Sequence, residues 1–535
     1  MINVIGSGLA GLSAAICLAE TGVSCNLISE GASERAQSVL AEGGINAALN
    51  TMGEEDSPKE HFSDTLKGGG DLADPYAVEA LCFHASEIIE YLEKIGVPFQ
   101  RQEDGKILLR NFGGQKKKRT AFAKSSTGKV IMNALIDEAR KYESSGLIRR
   151  FPHHRATEIV FKKAGGKGKC AGVKILDLYT DKLYFCTGPV ILGAGGLNGF
   201  FPENVTGSLQ NTGDLAAQLF SCGVNFANLE FIQYHPTTVG IPGKRMLISE
   251  AARGEGGRLF SLENGKKRYF MEELYPERGN LMPRDVISQE SEKILKSDEN
   301  NRIFLDFSEI SEKIWSERLS DMRKEIKDFL GDHPKFKPVE VRPGIHFFMG
   351  GIAVDRRHKT NIDGLYAAGE CAAIYHGANR LGGNSLLGAI YGGWIAAKSA
   401  LSENICQYGE ISETGLLSQE EKKAFEVSPK NAKRLRDILL SALGIIRRGD
   451  EISAALKDLE EFGTKGGFSL AEKNRILLGR AMLLSALSRK ESRGAHFRTD
   501  FPQRDDENFG KKTVSSFKNG KIDITFEDIS QGEEC

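Results

Sequence analysis

A glycine-rich turn near the amino terminus is the first feature of this sequence that can do chemistry. The turn Gly6-Ser7-Gly8-Leu9-Ala10-Gly11 follows the apolar segment INVI and opens the apolar segment LSAAICLAE. Glycine at these spacings permits a tight turn, a close approach of a pyrophosphate to the backbone, and close packing of helix against strand. The following helix N-terminus adds N–H donors and partial positive charge. The turn therefore predicts a bound dinucleotide contacted by Gly6, Ser7, Gly8, Ala10 and Gly11.

The next strand ends at a candidate ribose ligand. The segment VSCNLIS ends at Ser29, and Glu30 follows it directly. Neighbouring strand residues point to opposite faces, so only one of the two can hydrogen-bond a ribose. The sequence leaves the choice between Ser29 and Glu30 open.

Further along the chain, histidine, arginine and glutamate side chains are candidates for binding or protonating a substrate. His235 lies in IQYHPT, Arg284 in MPRDV and Arg380 in GANRLGG, while Glu250 and Arg253 are three residues apart. Taken singly, each residue also fits a structural role, as a packed histidine, an arginine in a surface ion pair, or part of a stabilised helix turn. Residue type alone therefore does not tell whether these side chains act on a substrate or only stabilise the fold.

These residues need a framework of strands and helices to bring them together. Residues 2–30 predict a βαβ unit, and 74–96 predict a core-facing amphipathic helix. Alternating segments over 145–195 predict consecutive strands, the last of them fully apolar. The irregular, charged and proline-bearing stretch 237–345 predicts an inserted domain, and the periodicity of 418–490 predicts a small helical bundle.

Composition excludes several classes of protein. The chain has 535 residues, of which 40% are hydrophobic and 27% charged, as expected for a large globular protein. Its 71 Lys and Arg balance 72 Asp and Glu, which removes any global electrostatic argument for nucleic acid as a partner. Nine cysteines without a C-x-x-C pair argue against a zinc ribbon, a local iron–sulfur motif or a secreted disulfide framework. No metal site is expected, and no apolar run approaches the ~20 residues that cross a bilayer.

Seven segments, in order along nearly the whole chain, resemble the flavoprotein subunits of fumarate reductase and succinate dehydrogenase, a superfamily that includes L-aspartate oxidase. They are the N-terminal unit with AEGGINAA, FIQYHPTTV, LISEAARGEGG, MPRDV, IHFFMGGI, LYAAGE and HGANRLGGNSLLGAIYGG. The resemblance implies an α/β fold with a discontinuous, Rossmann-like FAD-binding domain, an inserted α+β capping domain and a C-terminal helical domain. The expected ranges are 1–236 and 346–404 for the FAD-binding domain, 237–345 for the cap, and 405–535 for the helical domain and tail.

The resemblance also implies a site for a C4 dicarboxylate between cap and flavin. In this family FAD N5 exchanges a hydride with the substrate, and Arg284 would supply the proton through a relay of Glu250 and Arg253. The substrate would be held by His235, which is also counted as catalytic, and by Ser249, His346, Arg380 and Phe112. Further FAD contacts implied by the resemblance are Ala41, Glu42, Gly43, Gly44, Ala156, Asp214, Glu370, Ser385 and Leu386.

Two positions depart from the family pattern. Gln37 stands where the respiratory enzymes carry a histidine linked covalently to FAD, and an amide cannot form that bond. We therefore expect FAD to be bound non-covalently. A covalent link raises the flavin potential and favours succinate oxidation, so its absence favours fumarate reduction or an oxidase. Phe348 stands two residues after His346, where the family commonly has a polar residue or Met. We expect Phe348 to narrow the substrate site or to change which acid fits there.

Three enzyme readings and one non-enzymatic reading remain open. L-aspartate oxidase also lacks the covalent histidine, but it must recognise an ammonium group, which the apolar Phe112 in NFGG would leave unpaired. The FGG…RT…A pattern and the segment SRGAHFRTDFP are of the fumarate reductase and succinate dehydrogenase form. A relative acting on another unsaturated acid is the third reading, and a flavin-binding module without turnover is the fourth.

The sequence also bears on partners and location. It carries no cluster motif, haem motif or second nucleotide fingerprint, so a reductase would take electrons from a separate iron–sulfur subunit or another carrier. An oxidase would need no such partner. We expect a cytoplasmic protein, either free or held at the inner face of the membrane through partner subunits. The run Lys116-Lys117-Lys118-Arg119 is interpreted as a solvated loop, with a docking patch as the alternative.

Overall fold

A computed structural model describes residues 1–164, 167–298, 300–331, 333–403 and 409–529. The domain boundary expected between residues 404 and 405 lies outside the described residues. Among the described residues, no helix is both long enough and apolar enough to span a membrane. They also hold no cluster of three or more His, Cys, Asp or Glu side chains arranged to bind a metal ion.

A parallel five-stranded sheet forms the base of the first domain. The strand order is Leu365–Ala367, Val190–Leu192, Ile2–Ile5, Cys25–Ser29 and Ile148–Pro152. Strands such as INVI are buried along their whole length, as parallel strands covered on both faces must be. Helix Leu9–Glu20 connects two of these strands, which confirms the predicted βαβ unit. The edge strand Leu365–Ala367 comes from the far side of the inserted segment, so the domain is discontinuous, as expected.

Six further helices belong to this part of the described chain. They are Pro58–Gly68, Pro75–Phe83, Ala85–Lys94, Thr127–Ser144, Asp214–Ser221 and Asn384–Ser402. The single helix predicted over 74–96 is in fact two helices. The break lies at His84, whose backbone leaves helical geometry at φ −90° and ψ 1° and whose Nδ1 lies 2.8 Å from the Ala80 carbonyl oxygen. The His84 N–H still donates to the Ala80 carbonyl at 3.1 Å and the Ile88 N–H to the His84 carbonyl at 3.1 Å, so helical hydrogen bonds persist on both sides of the break.

Two smaller sheets complete the first domain. The predicted strands of 145–195 are confirmed: a four-stranded antiparallel sheet has the order Ile411–Leu416, Lys182–Thr187, Lys167–Asp177 and His154–Ala164. A three-stranded sheet has the order Ile45–Asn46, Thr120–Ala121 and Leu109–Arg110. The latter holds the AEGG turn next to the FGG…RT segment.

The inserted domain is built on a six-stranded antiparallel sheet. Its strand order is Lys244–Leu247, Ile232–Ile241, Val339–Phe348, Ile303–Asp306, Arg258–Glu263 and Lys266–Arg268. Its helices are Ala251–Gly254, Phe270–Leu274, Arg284–Ser297, Glu312–Glu317 and Ser320–Leu330. The two expected boundaries, after residues 236 and 345, fall within paired strands, so the chain enters and leaves this domain along one antiparallel ladder.

The C-terminal region combines helices with a hairpin. Helices Gln419–Lys423, Pro429–Leu440, Gly449–Gly463 and Leu470–Ser488 confirm the predicted helical segment, and Asp506–Phe509 adds one turn. Strands Ile446–Arg447 and Phe497–Arg498 pair with each other. The hairpin Lys512–Lys518 and Lys521–Glu527 joins a sheet with Phe226–Ala227, Gly351–Ala353 and Ala372–Ala373. The described part of the polar tail is therefore a strand pair within the fold.

Candidate active site

One cavity of about 750 Å³ runs from the glycine turn to the histidines and arginines of the inserted domain. Every predicted cofactor contact lines it except Gly11. A Cβ atom on Gly11 would lie 1.8 Å from the Gly6 carbonyl oxygen, so this residue serves the helix–strand packing instead. Gly6 itself has φ +100°, and a Cβ there would lie 2.2 Å from the Gly193 oxygen.

The geometry of this cavity fits FAD. Two long helices, Leu9–Glu20 and Asn384–Ser402, begin at Gly8 and Gly383, and both glycines line the cavity. Their N-termini present N–H groups and positive potential to an anionic cofactor. Ser29 and Glu30 both line the cavity as well; Ser29 Oγ donates to the Gly31 carbonyl, and Glu30 pairs with Arg155. The structure thus leaves the ribose choice between them open.

Gln37 lines the cavity and organises the loop opposite the glycine turn. Its Oε1 accepts hydrogen bonds from the Ser208 backbone N–H at 2.7 Å, from Asn198 Nδ2 at 2.8 Å and from Asn211 Nδ2 at 3.3 Å. The amide oxygen is therefore fully engaged in holding protein groups.

Two histidines lie at the inserted-domain end of the cavity, on the paired strands Ile232–Ile241 and Val339–Phe348. The ring centroids of His235 and His346 are 5.1 Å apart. His346 Nδ1 lies 2.8 Å from Thr206 Oγ1, and His235 Nδ1 accepts from the Thr237 backbone N–H at 3.3 Å. His235 Nε2 is buried without a hydrogen-bond partner among the described residues. A donor or acceptor in the cavity is needed to satisfy it.

Arg284 and Arg380 meet at one glutamine, which the sequence analysis missed. Gln233 Oε1 accepts from Arg284 Nη1 at 3.1 Å and from Arg380 Nη2 at 3.0 Å. The Gln233 amide donates to Asn379 Oδ1 at 2.7 Å and to the Arg380 carbonyl at 2.8 Å. A single neutral side chain, 1% exposed, therefore holds two guanidinium groups side by side.

Glu250 holds Arg284 from the other side. Its Oε2 accepts from Arg284 Nε at 2.8 Å and lies 2.7 Å from Nη2, a two-pronged contact. Glu250 Oε1 accepts from the Gly113 N–H at 2.7 Å and lies 3.6 Å from Arg253 Nη2. Arg253 does not line the cavity; it is buried behind Glu250 and donates to the Asn280 carbonyl at 2.6 Å. The order Arg284, Glu250, Arg253 thus leads from the cavity into the inserted domain.

The electrostatics of this cluster favour an anionic ligand. Burial, with Arg284 and His346 nearby, lowers the pKa of His235 well below its usual value, and burial with Arg284 and Arg380 does the same for His346. Both imidazoles are therefore neutral near pH 7. Burial opposes ionisation of Glu250, but Arg284 and Arg253 hold its pKa below the usual value, so it stays charged. Arg380 has its pKa lowered by burial and by Arg284, and its Nε lacks a hydrogen-bond partner among the described residues.

The remaining predicted residues complete the walls. Ser249, 3% exposed, and Phe112, 2% exposed, both line the cavity. Glu370 accepts from the Phe348 N–H at 3.1 Å, and burial raises its pKa to about 7. The expectation that Phe348 narrows the substrate site is wrong. Its ring packs in the core, with its centroid 5.9 Å from that of the Phe201 ring. Phe347 lines the cavity instead.

The sequence analysis did not identify three residues that position the site's arginines and histidines, and only some of them have a signal in the sequence. Gln233 precedes His235 by two residues, and strand alternation puts both side chains on one face, so the motif FIQYH held the signal. Asn379 precedes Arg380 and donates to Asp285 Oδ1 at 3.0 Å, which links the arginine loop to helix Arg284–Ser297. Thr206 lies in a loop with no recognisable pattern, and only the fold brings it to His346.

Comparisons with known proteins agree with this geometry. A family model described as FAD binding domain matches residues 2–386, and one described as Fumarate reductase flavoprotein C-term matches residues 432–533. The chain is 36% identical to the succinate dehydrogenase flavoprotein subunit of Bacillus subtilis, over 96% of this chain and 93% of that protein. It is 34% identical to the fumarate reductase flavoprotein subunit of Mycobacterium tuberculosis, over 96% and 94% respectively. A solved quinol-fumarate reductase with menaquinol molecules matches it with a TM-score of 0.87 and 28% identity, over 100% of this chain and 98% of that one.

Proposed function

Because this chain belongs to the fumarate reductase and succinate dehydrogenase flavoprotein family of FAD-dependent oxidoreductases, we propose that it interconverts fumarate and succinate and works mainly as a fumarate reductase. The observation that carries the proposal is the pair Arg284 and Arg380 joined through Gln233 beside two neutral imidazoles. Guanidinium groups grip carboxylates in a fixed orientation, and neutral imidazoles donate to them without adding charge. The set suits a small diacid with a carboxylate at each end.

Each residue of the set has a distinct task in this proposal. Arg380, His346, His235 and Ser249 bind the two carboxylates and orient the double bond. FAD would be held by the glycine turn and the two helix N-termini, and in its reduced form it would supply the hydride that one alkene carbon accepts. Arg284 gives a proton to the other carbon, so hydride and proton together convert fumarate to succinate.

The surroundings of Arg284 restore its proton after each turnover. A guanidinium is a weak acid, so a proton donor must recharge it. Glu250, ionised and in two-pronged contact with Arg284, is placed to pass that proton on, and Arg253 lies behind Glu250 toward the inserted domain. His235 lies near enough to Arg284 for that charge to lower the pKa of its imidazole, and its Nε2, which has no hydrogen-bond partner among the described residues, is free to bind a substrate carboxylate.

The flavin, on this proposal, is held without a covalent bond, because Gln37 is engaged with Ser208, Asn198 and Asn211. Loss of the covalent link favours fumarate reduction over succinate oxidation. Electrons would come from an iron–sulfur subunit or another small carrier. The relatives are themselves called flavoprotein subunits, which supports a multisubunit assembly. We place the chain in the cytoplasm, at the inner face of the membrane wherever such partners anchor it.

Anaerobic reoxidation of the flavin tests the proposal directly. The FAD-loaded chain is reduced with dithionite and mixed with fumarate, and flavin absorbance is followed as succinate forms. L-aspartate with oxygen, assayed as iminosuccinate, is the rival reaction, and the buried Phe112 argues against it because it gives an ammonium group no partner. Reoxidation by fumarate without aspartate turnover supports the proposal. Aspartate turnover alone would assign the chain to the oxidase reaction, and a flavin that responds to neither acid would indicate a binding module.

A further inference from the structure

A second cavity, of about 140 Å³, lies beside the candidate active site and shares Arg284 and Arg380 with it. Its other charged lining residues are Asp64, Lys67, Lys116 and Arg278. The cavity is far below the several hundred Å³ of a nucleotide or drug-sized site, so it suits only a small ion or acid. No role proposed above uses it.

The rim of this cavity is cationic and open to solvent. Lys67, Lys116 and Arg278 are exposed. Within the part of the chain that the structure describes, Lys67 and Arg278 form no ion pair, and Lys116 has only a loose one, with Nζ 3.7 Å from Glu60. Such an exposed pair contributes little. The rim therefore presents positive charge that the protein itself does not neutralise.

The one carboxylate in the described lining is already satisfied. Asp64 Oδ2 lies 3.0 Å from Nη2 of the fully buried Arg119 and accepts the Lys116 backbone N–H at 3.0 Å. It therefore offers little negative charge to the cavity. The net charge of the lining residues is therefore positive, both at the exposed lysines and at the buried arginines.

This cavity adjoins the candidate active site through the side chains of Arg284 and Arg380, which line both, and through two glycines that lie against Glu250. A Cβ on Gly113 would lie 2.5 Å from Glu250 Oε1, and one on Gly382 would lie 2.9 Å from Glu250 Oε2. The buried Leu381 fills the space between Gly68 and Gly114, with its Cδ1 3.4 Å and 3.1 Å from Cβ atoms built there. Arg380 lines both cavities and has its Nε buried without a hydrogen-bond partner among the described residues, so an anion that reaches this arginine would satisfy it.

We propose that this cavity is a cationic vestibule, in which Lys67, Lys116 and Arg278 capture a dicarboxylate from solvent and deliver it to Arg284 and Arg380. The inference rests on the proposed function for the identity of the anion. A concave site lined by one sign of charge concentrates ions of the opposite sign and raises association rates by about 10- to 1,000-fold. The run Lys116-Lys117-Lys118-Arg119 thereby gains a role through Lys116, at the rim, and Arg119, which neutralises Asp64.

A triple variant, Lys67→Gln, Lys116→Gln and Arg278→Gln, tests the vestibule in the full-length, FAD-loaded chain. All three side chains are exposed, so folding should survive. The matched control changes Lys430, Lys433 and Lys473 to Gln, which removes the same charge from exposed positions on the C-terminal helices. At low salt we expect kcat/KM for fumarate to fall about tenfold in the vestibule variant, with kcat unchanged, and to stay unchanged in the control. Added salt should shrink the difference.

A second measurement keeps the two proposals separable. Malonate, a diacid that cannot be oxidised at a carbon–carbon bond, is mixed with the oxidised protein, and its association rate is read from the flavin absorbance. If fumarate fails to reoxidise the flavin but malonate associates about tenfold more slowly with the vestibule variant, the vestibule stands and the proposed function falls. If fumarate turns over with equal kcat/KM in both triple variants, the vestibule is overturned and the function stands. The vestibule is also overturned if malonate leaves the flavin of the unmodified protein unchanged.

Discussion

Replacement of Gln233 by leucine separates the function of the arginine pair from the stability of the fold. The change keeps the approximate size of the side chain but removes the oxygen that accepts from Arg284 and Arg380. A hydrogen bond from a charged donor contributes about 1.5–3 kcal/mol, so the loss of two at the lower figure amounts to about 3 kcal/mol. If that energy positions the substrate in the transition state, kcat/KM for fumarate falls at least ~100-fold.

The assay is the anaerobic reoxidation of dithionite-reduced flavin by fumarate, with FAD content and melting temperature measured on the same samples. Gln115→Leu is the matched control, because Gln115 is also a buried glutamine and its amide donates to Asn46 and to the Gly382 carbonyl without touching a guanidinium. We expect both variants to lose some stability and only Gln233→Leu to lose most of its activity. A Gln233→Leu protein that keeps its FAD and stays within threefold of the unmodified kcat/KM would refute the reasoning, and so would equal activity losses in the two variants.

Three further predictions address the acid, the flavin and the pH dependence of stability. Arg284→Lys should slow single-turnover reoxidation by about 100- to 10,000-fold while FAD stays bound, because a lysine cannot reproduce the two-pronged contact with Glu250; a fast variant would assign the proton to another group. Acid precipitation should release all flavin into the supernatant, whereas fluorescence retained on the denatured chain would show a covalent bond despite Gln37. Burial raises the pKa of Glu370 to about 7 in the folded apoprotein, so its contribution to stability is present at acid pH and is lost as pH rises through about 7. The melting temperature of the unmodified apoprotein should therefore fall relative to that of Glu370→Gln between pH 5 and 8, and parallel curves would contradict this.

The framework of the fold was largely predictable because its signals are local. The βαβ unit, the strands of 145–195 and the helices of 418–490 each follow from hydrophobic periodicity and glycine placement. The break at His84 was missed because a continuous apolar stripe persists through it, while the departure from helical geometry is confined to the backbone angles of this residue. The C-terminal hairpin carries a local signal, the Asn519-Gly520 turn between its two strands, which the sequence analysis did not use. Its pairing with Phe226–Ala227 has no local signal, because it joins residues almost 300 positions apart.

The candidate site was predictable to the extent that motifs name its residues. His235, His346, Arg284, Arg380 and Glu250 do gather in one place, although motif matching alone says nothing of how they touch. The bridge through Gln233 needed coordinates, because an uncharged glutamine in a strand carries no chemical signal beyond its alternation with His235. Phe348 shows the opposite error, since its place beside the motif histidine suggested a wall of the site and the structure puts it in the core.

The hairpin that ends the described chain has a bearing on how the protein is made. Phe226–Ala227 follows closely on helix Asp214–Ser221, whose first residue lines the FAD cavity, and its sheet is completed only by strand Lys512–Lys518. Strand Lys512–Lys518 is synthesised almost 300 residues after Phe226–Ala227, so during synthesis that edge of the sheet stays unpaired over this whole interval. We therefore expect stable binding of the flavin only after residues 512–518 have been synthesised, and truncation just before residue 512 to yield a colourless, aggregation-prone product.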